Sequence, residues 1–227
     1  MDKALVLFSG GVDSSTCLGL AVEKYGKDNV VALSISYGQK HIREIEASKN
    51  VASFYGVEHI FMDLKSIFEY SDCSLLSSSG RDIPKKSYDE QLKEAEGETV
   101  STYVPFRNGL FISAAASIAL SKGCSVIFYG PHKDDAAGEA YPDCSAEFNN
   151  SMAQAVYIGS GKQLRIEAPF VNMTKADIVS MGLTLKVPYE LTYSCYEGTE
   201  KPCGKCGTCI DRIKAFAKNG VKDPALL

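Results

Sequence analysis

The stretch Ser9-Gly10-Gly11-Val12-Asp13-Ser14-Ser15 lies between two apolar segments of different character. Before it, Lys3-Ala4-Leu5-Val6-Leu7-Phe8 is long enough for one buried parallel strand and too short for a helix. After it, residues 16–22 carry apolar side chains that suit the buried side of a helix. The order strand, glycine turn, helix aims backbone N–H groups and the positive helix end at a single point, which makes an anion site. Two adjacent glycines let the backbone wrap an anion closely, because no Cβ intrudes. Ser9, Ser14 and Ser15 add hydroxyl donors, and Asp13 is a residue type that holds the magnesium accompanying a nucleoside triphosphate.

Downstream the pattern alternates. Residues 30–36 read as a second strand, β-branched and mostly apolar. It ends at Tyr37-Gly38-Gln39-Lys40-His41, where the carboxyl edge of a sheet presents side chains to a ligand. Helical spacing of Ile42, Ile45, Val51, Ala52 and Tyr55 follows from His41 on, then a third strand over residues 57–63. This β-α-β-α-β order predicts a doubly wound parallel α/β sheet. Residues 110–120 are apolar on nearly every face and predict a deeply buried helix, with Arg107 and Asn108 at its amino end beside the ligand edge. A fourth strand over 125–130 leads into Pro131-His132-Lys133-Asp134-Asp135 and then Tyr141-Pro142-Asp143-Cys144, a polar region. A helix near 144–157 and an outer strand over 164–170, with Pro169 at its end, come next. Thr174-Lys175-Ala176-Asp177 is a capping-box-like helix start. Residues 71–101 break the pattern, being polar, acidic and poor in core residues. They read as an excursion from the sheet: a lid, a plain solvated loop or a segment ordered at a subunit contact. With no linker in sight, residues 1–227 are expected to form one domain that includes a tail over 190–227.

The 227 residues suffice for a real core, and a net charge of −4 argues against a broad polyanion-binding face. A small nucleotide-like substrate suits that balance better than a whole tRNA. No run approaches the ~18–20 apolar residues of a membrane helix, and the amino terminus reads as a core strand, so a cytoplasmic protein is expected. Of eight cysteines the last four cluster, Cys195, Cys203, Cys206 and Cys209, spaced C-x7-C-x2-C-x2-C. With no secretory signal, this reads as reduced thiols plus one metal site, not a disulfide framework. Four thiolates suit a closed, structural Zn2+ site. An iron–sulfur cluster is the competitor, but here the fourth cysteine lies upstream and not in the C-x3-C-P position of a ferredoxin run, which favours zinc.

The loop has neither the lysine of a Walker A motif nor the spacing of a dinucleotide fold. Its S-G-G-x-D-S-S pattern resembles the pyrophosphate loop of the N-type ATP pyrophosphatases, with their adenine nucleotide α-hydrolase-like fold. Phe8 to Ser15, Tyr37-Gly38-Gln39-Lys40-His41, Val104-Pro105-Phe106-Arg107-Asn108, Tyr141-Pro142-Asp143-Cys144 and the four-cysteine tail together resemble the 7-cyano-7-deazaguanine synthases of the queuosine pathway. That resemblance implies conversion of 7-carboxy-7-deazaguanine, ammonia and ATP to a nitrile, by adenylation of first the acid and then the amide. It implies that Phe8, Ser9, Gly10, Gly11, Val12, Ser14 and Ser15 bind the nucleotide, that Asp13 positions Mg2+, and that the strand end with Ser34 and Ser36 takes the adenine edge through backbone contacts. Arg107 is the candidate for the activated carboxylate or α-phosphate, with Tyr37, Gln39 and Asn108 near the substrate. Asp135 and Asp143 suit the guanine-like N–H face, a second magnesium or loop capping. His132 is either a base or an incidental loop residue. A homodimer is implied by the resemblance alone, and no nucleic acid or membrane partner is expected. Two related readings stay open, an enzyme joining the same carboxylate to another amine and a tRNA thiolase. A non-enzymatic zinc-ribbon module leaves the loop unexplained.

Overall fold

The computed structural model describes residues 2–40, 43–94, 99–137 and 140–226. His41, the last residue of the second motif, lies outside them, as does the end of the acidic run over 95–98. The strands are β1 (Ala4–Leu7), β2 (Val30–Ser36), β3 (Glu58–Asp63), β4 (Val126–Phe128) and β5 (Arg165–Glu167). They form one five-stranded parallel sheet in the order β3-β2-β1-β4-β5. The chain winds outward from β1 through β2 to β3, then returns to the other side of β1 for β4 and β5. The fork between β1 and β4 is the switch point at which open α/β sheets bind ligands.

Helices cover both faces, which is why β1 and β2 are apolar almost without alternation. Ala4, Val6, Ala32 and Phe128 point to one face. There they meet α1 (Val12–Tyr25) and α2 (Arg43–Tyr55). After α3 (Lys65–Phe68) and α4 (Tyr88–Glu94), the chain enters α5 (Arg107–Ser121), which covers the other face with Ile112, Ala115 and Ala119 against Leu5, Leu33 and Ile127. The short α6 (Lys133–Ala136) precedes α7 (Ala146–Gly159), whose Val156 extends that second layer. Then α8 (Lys175–Thr184) returns to the α1 face, and α9 (Gly207–Lys218) packs on α8.

Two expectations need correction. α5 is not buried all round: Ser113 and Ser117 are exposed, and Leu120 is 39% exposed. It is an outer-layer helix, so only the stripe with helical spacing through Gly109, Ile112, Ala115 and Ala119 is fully covered. Residues 71–101 are not poor in core. Cys73, Leu75 and Leu76 are buried with Tyr37, Phe68 and Val104. Their backbone is stitched to the segment after β2 by Lys40 N–H to Leu75 C=O at 2.9 Å and Ser77 N–H to Gly38 C=O at 2.8 Å.

The tail is held by a buried ion pair. Arg212 on α9 donates to Asp223 through Nε at 2.5 Å and Nη2 at 2.8 Å, and also donates from Nη2 to the Tyr189 carbonyl at 3.2 Å. Both side chains of the pair are at most 4% exposed. Tyr189 in turn shares a 2.7 Å hydrogen bond with Thr16 on α1, so the tail is tied to the first helix. Removing one partner of a buried pair strands the other charge. Asp223→Ala is therefore expected to cost about 3–5 kcal/mol of unfolding free energy, read by urea denaturation.

Candidate active site

The loop between β1 and α1 opens into a cavity of about 240 Å³ at the switch point. Gly10 has φ +86°, and a Cβ there would stand 2.5 Å from the Ser48 amide nitrogen. Only glycine permits both that conformation and that approach of α2. Within the loop, the Ser9 and Ser14 hydroxyls are 3.1 Å apart, and the Ser9 amide donates to Ser14 Oγ at 3.2 Å. Phe8, Ser9, Gly11, Asp13 and Ser14 line the cavity, whereas Gly10, Val12 and Ser15 lie behind its wall. Val12 and Ser15 are buried in the first turn of α1.

From β2, Leu33, Ser34 and Ile35 reach the cavity and Ser36 does not. The Ser34 hydroxyl donates to the Phe8 carbonyl at 2.6 Å and contacts His59 Nε2 at 2.8 Å, so this side chain is committed to the sheet. Tyr37 and Gln39 line the cavity as a unit, the Gln39 Oε1 accepting from the Tyr37 amide at 3.0 Å. Arg107 and Asn108 enter from the amino end of α5. Phe106, just before them, has φ +53°, a left-handed conformation uncommon for a bulky residue. It is held there by the Tyr103 hydroxyl, which accepts from its amide at 2.9 Å. The Arg107 guanidinium lies 5.4 Å over the Tyr37 ring. Burial works against its charge, but Tyr37, Asp143 and Cys144 more than offset this and hold its pKa above the ordinary value.

The acids sort by environment. Asp143 does not line the cavity; its Oδ2 accepts from the Asn108 amide at 2.8 Å, which caps α5. Burial pushes its carboxyl up, partly opposed by that hydrogen bond and by Arg107. Asp135 does line the cavity and lies 3.2 Å from His132 Nε2. Cys144 is in the wall too, and burial together with Asp135 and Asp143 pushes its thiol well up, away from nucleophilic character.

Two residues with a part in the site were not singled out from sequence. Lys175, the first residue of α8, reaches back across 162 positions to donate to Asp13 Oδ2 at 2.7 Å. It thus brings to this loop the cation that the motif itself lacks. The capping box at Thr174 and Asp177 that fixes its helix start was legible, but the contact was not. Burial would raise the Asp13 pKa, yet Lys175 and His132 outweigh it and hold the carboxyl below the usual value. Asp13 Oδ1 is buried and has no hydrogen-bond partner among the described residues, so one oxygen of this acid is left over. The second missed residue is Glu44, in the first turn of α2, which faces the cavity. Burial lifts its carboxyl to about 7, with Arg107 pulling down and Cys195 pushing up. On sequence it was one charge among several on an amphipathic helix.

Beside this cavity, the sulfurs of Cys195, Cys203, Cys206 and Cys209 all lie within 4.8 Å of one another. The amides of Cys203 and Cys206 donate to thiol sulfurs at 3.3 Å, the contacts that stabilise thiolates. Cys195, Cys206 and Cys209 are buried. Four convergent soft donors fit a tetrahedral metal. The same tail meets the loop, where the Tyr193 amide donates to the Gly10 carbonyl at 3.0 Å.

The Asp13–Lys175 pair has a pH signature. A carboxyl whose folded pKa lies below its unfolded value, near ~3.9, stabilises the fold above that pH and loses the contribution as pH falls through the folded value. In Lys175→Met the Asp13 pKa should rise, since burial is then opposed only by His132 and local hydrogen bonds. Carboxyl NMR titration should show that rise, and acid unfolding should begin at a higher pH than in the wild type.

Residues 3–220 match the family described as queuosine biosynthesis protein QueC. The 7-cyano-7-deazaguanine synthase of Archaeoglobus fulgidus is 43% identical over 225 residues, covering 99% of this chain and 90% of that protein. The enzyme of the same name from Caldicellulosiruptor bescii is 41% identical over 223 residues, covering 98% and 96%. Among solved structures, the U34-tRNA thiolase NcsA from Methanococcus maripaludis with its 4Fe-4S cluster superposes with a TM-score of 0.53 at 17% identity. That match covers 96% of this chain and 67% of the other and concerns the fold alone. By its match over nearly the whole length and its identity to these relatives, the chain belongs to the QueC family.

Proposed function

We infer that this protein is a 7-cyano-7-deazaguanine synthase, an ATP-dependent ligase that turns 7-carboxy-7-deazaguanine and ammonia into a nitrile. Within that reaction, the observation that carries the residue roles is the convergence of the glycine loop, Lys175 and Arg107 on one cavity at the sheet's switch point. A carboxylate is a poor electrophile, and transfer of AMP to its oxygen creates a leaving group. Ammonia then displaces AMP to give the amide. Adenylation of the amide oxygen and loss of AMP leave the C≡N group. One loop serves both rounds.

The loop amides and the Ser9 and Ser14 hydroxyls hold the departing pyrophosphate, with Lys175 countering its charge. Asp13 Oδ1, the buried oxygen without a partner among the described residues, suits Mg2+, which when bound would neutralise phosphate charge. The backbone at the end of β2 takes the adenine edge. Arg107, which forms no ion pair with a carboxylate among the described residues, is left to meet the substrate's acid group or the α-phosphate. Asp135, Tyr37, Gln39 and Asn108 face the substrate side. Zn2+ on the four cysteines would be structural, since protein fills every position. A homodimer belongs to this reading on the family resemblance alone. Among the described residues no helix is long and apolar enough to cross a membrane.

Incubation with ATP, magnesium, ammonium and 7-carboxy-7-deazaguanine should give amide, then nitrile, by mass spectrometry, with AMP and pyrophosphate accumulating. ADP as the sole nucleotide product would overturn attack at the α-phosphorus. Asp13→Asn should lower turnover by about 10²-fold or more while circular dichroism is unchanged. Metal analysis should find one zinc per chain, and a brown protein absorbing in the visible range would replace zinc by an iron–sulfur cluster.

A further inference from the structure

Three carboxylates line the cavity, Asp13, Glu44 and Asp135. Asp13 is taken by Lys175 at 2.7 Å and Asp135 by His132 at 3.2 Å. Glu44 makes no hydrogen bond or ion pair within the set of described residues, and its side chain is only partly exposed. Its backbone oxygen abuts Gly10, 2.9 Å from where a Cβ on that glycine would stand, so the first turn of α2 is fixed against the phosphate loop. The groups that face Glu44 from other elements are Arg107 on α5, Tyr37 after β2 and Cys195 in the tail. An uncommitted anion in a cavity whose other two carboxylates already face Lys175 and His132 is a site for a small cationic co-substrate.

We propose that Glu44 binds the incoming ammonium ion and takes its proton, so that ammonia is released as a nucleophile next to the acyl adenylate. This rests on the synthase reading above. The step balances. Ammonium gives one proton to the Glu44 carboxylate, and the freed nitrogen lone pair forms the C–N bond. The C–O bond to AMP breaks, its electron pair leaves with the AMP oxygen, and the departing phosphate takes the second proton shed by nitrogen. Neutral amide, AMP and protonated Glu44 remain. A carboxylate on the cavity wall with no side-chain partner among the described residues is placed to hold the ion and accept that proton.

The test is Glu44→Gln, read with two nucleophiles. With ATP and the acid but no amine, pyrophosphate release should match the wild type. With ammonium, amide formation should fall by about 10²-fold and the KM for ammonium should rise. With hydroxylamine, which is uncharged at neutral pH and needs no base to free its lone pair, hydroxamate formation should stay within a few fold of wild type. Glu44→Asp, which keeps the charge, should recover part of the ammonium rate. If Glu44→Gln does not fold, Glu44→Asp alone decides, by a raised ammonium KM with hydroxamate formation kept. Equal losses with both nucleophiles, or no loss with ammonium, would overturn the proposal. Loss of pyrophosphate release with a raised KM for the acid would also overturn it, by making Glu44 a reader of the base. Absence of acid-dependent pyrophosphate release in the wild type would instead remove the synthase reading itself.

Discussion

Backbone meets backbone at Gly10, and the site's walls depend on that contact. Its carbonyl accepts from Tyr193 in the tail, while its α-carbon lies against Ser48 and Glu44 of α2. Three segments distant in sequence thus share one residue that has no side chain. A methyl group at Gly10 would need α2 to withdraw, because the obstructing atoms are main-chain atoms of a helix and cannot rotate aside. Withdrawal of α2 would take Glu44 with it, and loss of the Tyr193 hydrogen bond would remove the tie between the loop and the segment with Ser194 and Tyr196, which line the cavity on the tail side. The glycine's conformational freedom serves the loop, but its missing volume serves the assembly of the whole pocket.

Charge placement follows from that geometry. The motif supplies amides and hydroxyls but no cation. The fold adds one from α8, a helix whose start is fixed by the Thr174 capping box and by Asp134, which accepts from the Lys175 amide at 2.8 Å. Lys175 is nearly covered, its side chain 14% exposed, so its ammonium group is screened little by solvent and its hold on Asp13 is strong. At the other end of the cavity Arg107 and Glu44 attract each other without forming an ion pair among the described residues. In the reading proposed above, this separates a phosphate end, whose charges are already matched, from an acyl end, whose charges are left for substrates.

The sheet was legible in the sequence because β1 and β2 are apolar on both faces, a pattern that only a doubly covered parallel strand needs. The loop was legible because glycines, hydroxyls and an acid fall at consecutive positions between strand and helix. Residues 71–101 were not. Their core contribution is the short run Cys73 to Leu76 and the separate Val100, both in polar surroundings, and the burial of that run depends on Tyr37 and Val104, which no local pattern reveals. Lys175 and Glu44 were missed for a related reason. Each sits in the first turn of an ordinary amphipathic helix, where a charge is normally solvated. Only the packing of α8 and α2 about the loop turns these two inward.

Arg107 shows how the fold keeps a half-buried cation available. Asp143 attracts it, and an acid so placed would ordinarily close an ion pair on it. That carboxylate is instead committed to the Asn108 amide, while Asn108 Nδ2 donates to the Asp143 carbonyl at 3.0 Å. The reciprocal pair fixes the first turn of α5 and keeps the acid out of the cavity. The left-handed Phe106 before it costs about 1–2 kcal/mol and turns the chain so that Arg107 leaves the helix toward Tyr37. The Tyr103 hydroxyl and the Phe148 ring, edge-on at 5.8 Å, stabilise that conformation. Strain of this kind persists only where several contacts over-determine it. Here those contacts set the direction of the guanidinium before any ligand arrives, which is the condition under which a fixed charge stabilises a developing one without reorganisation.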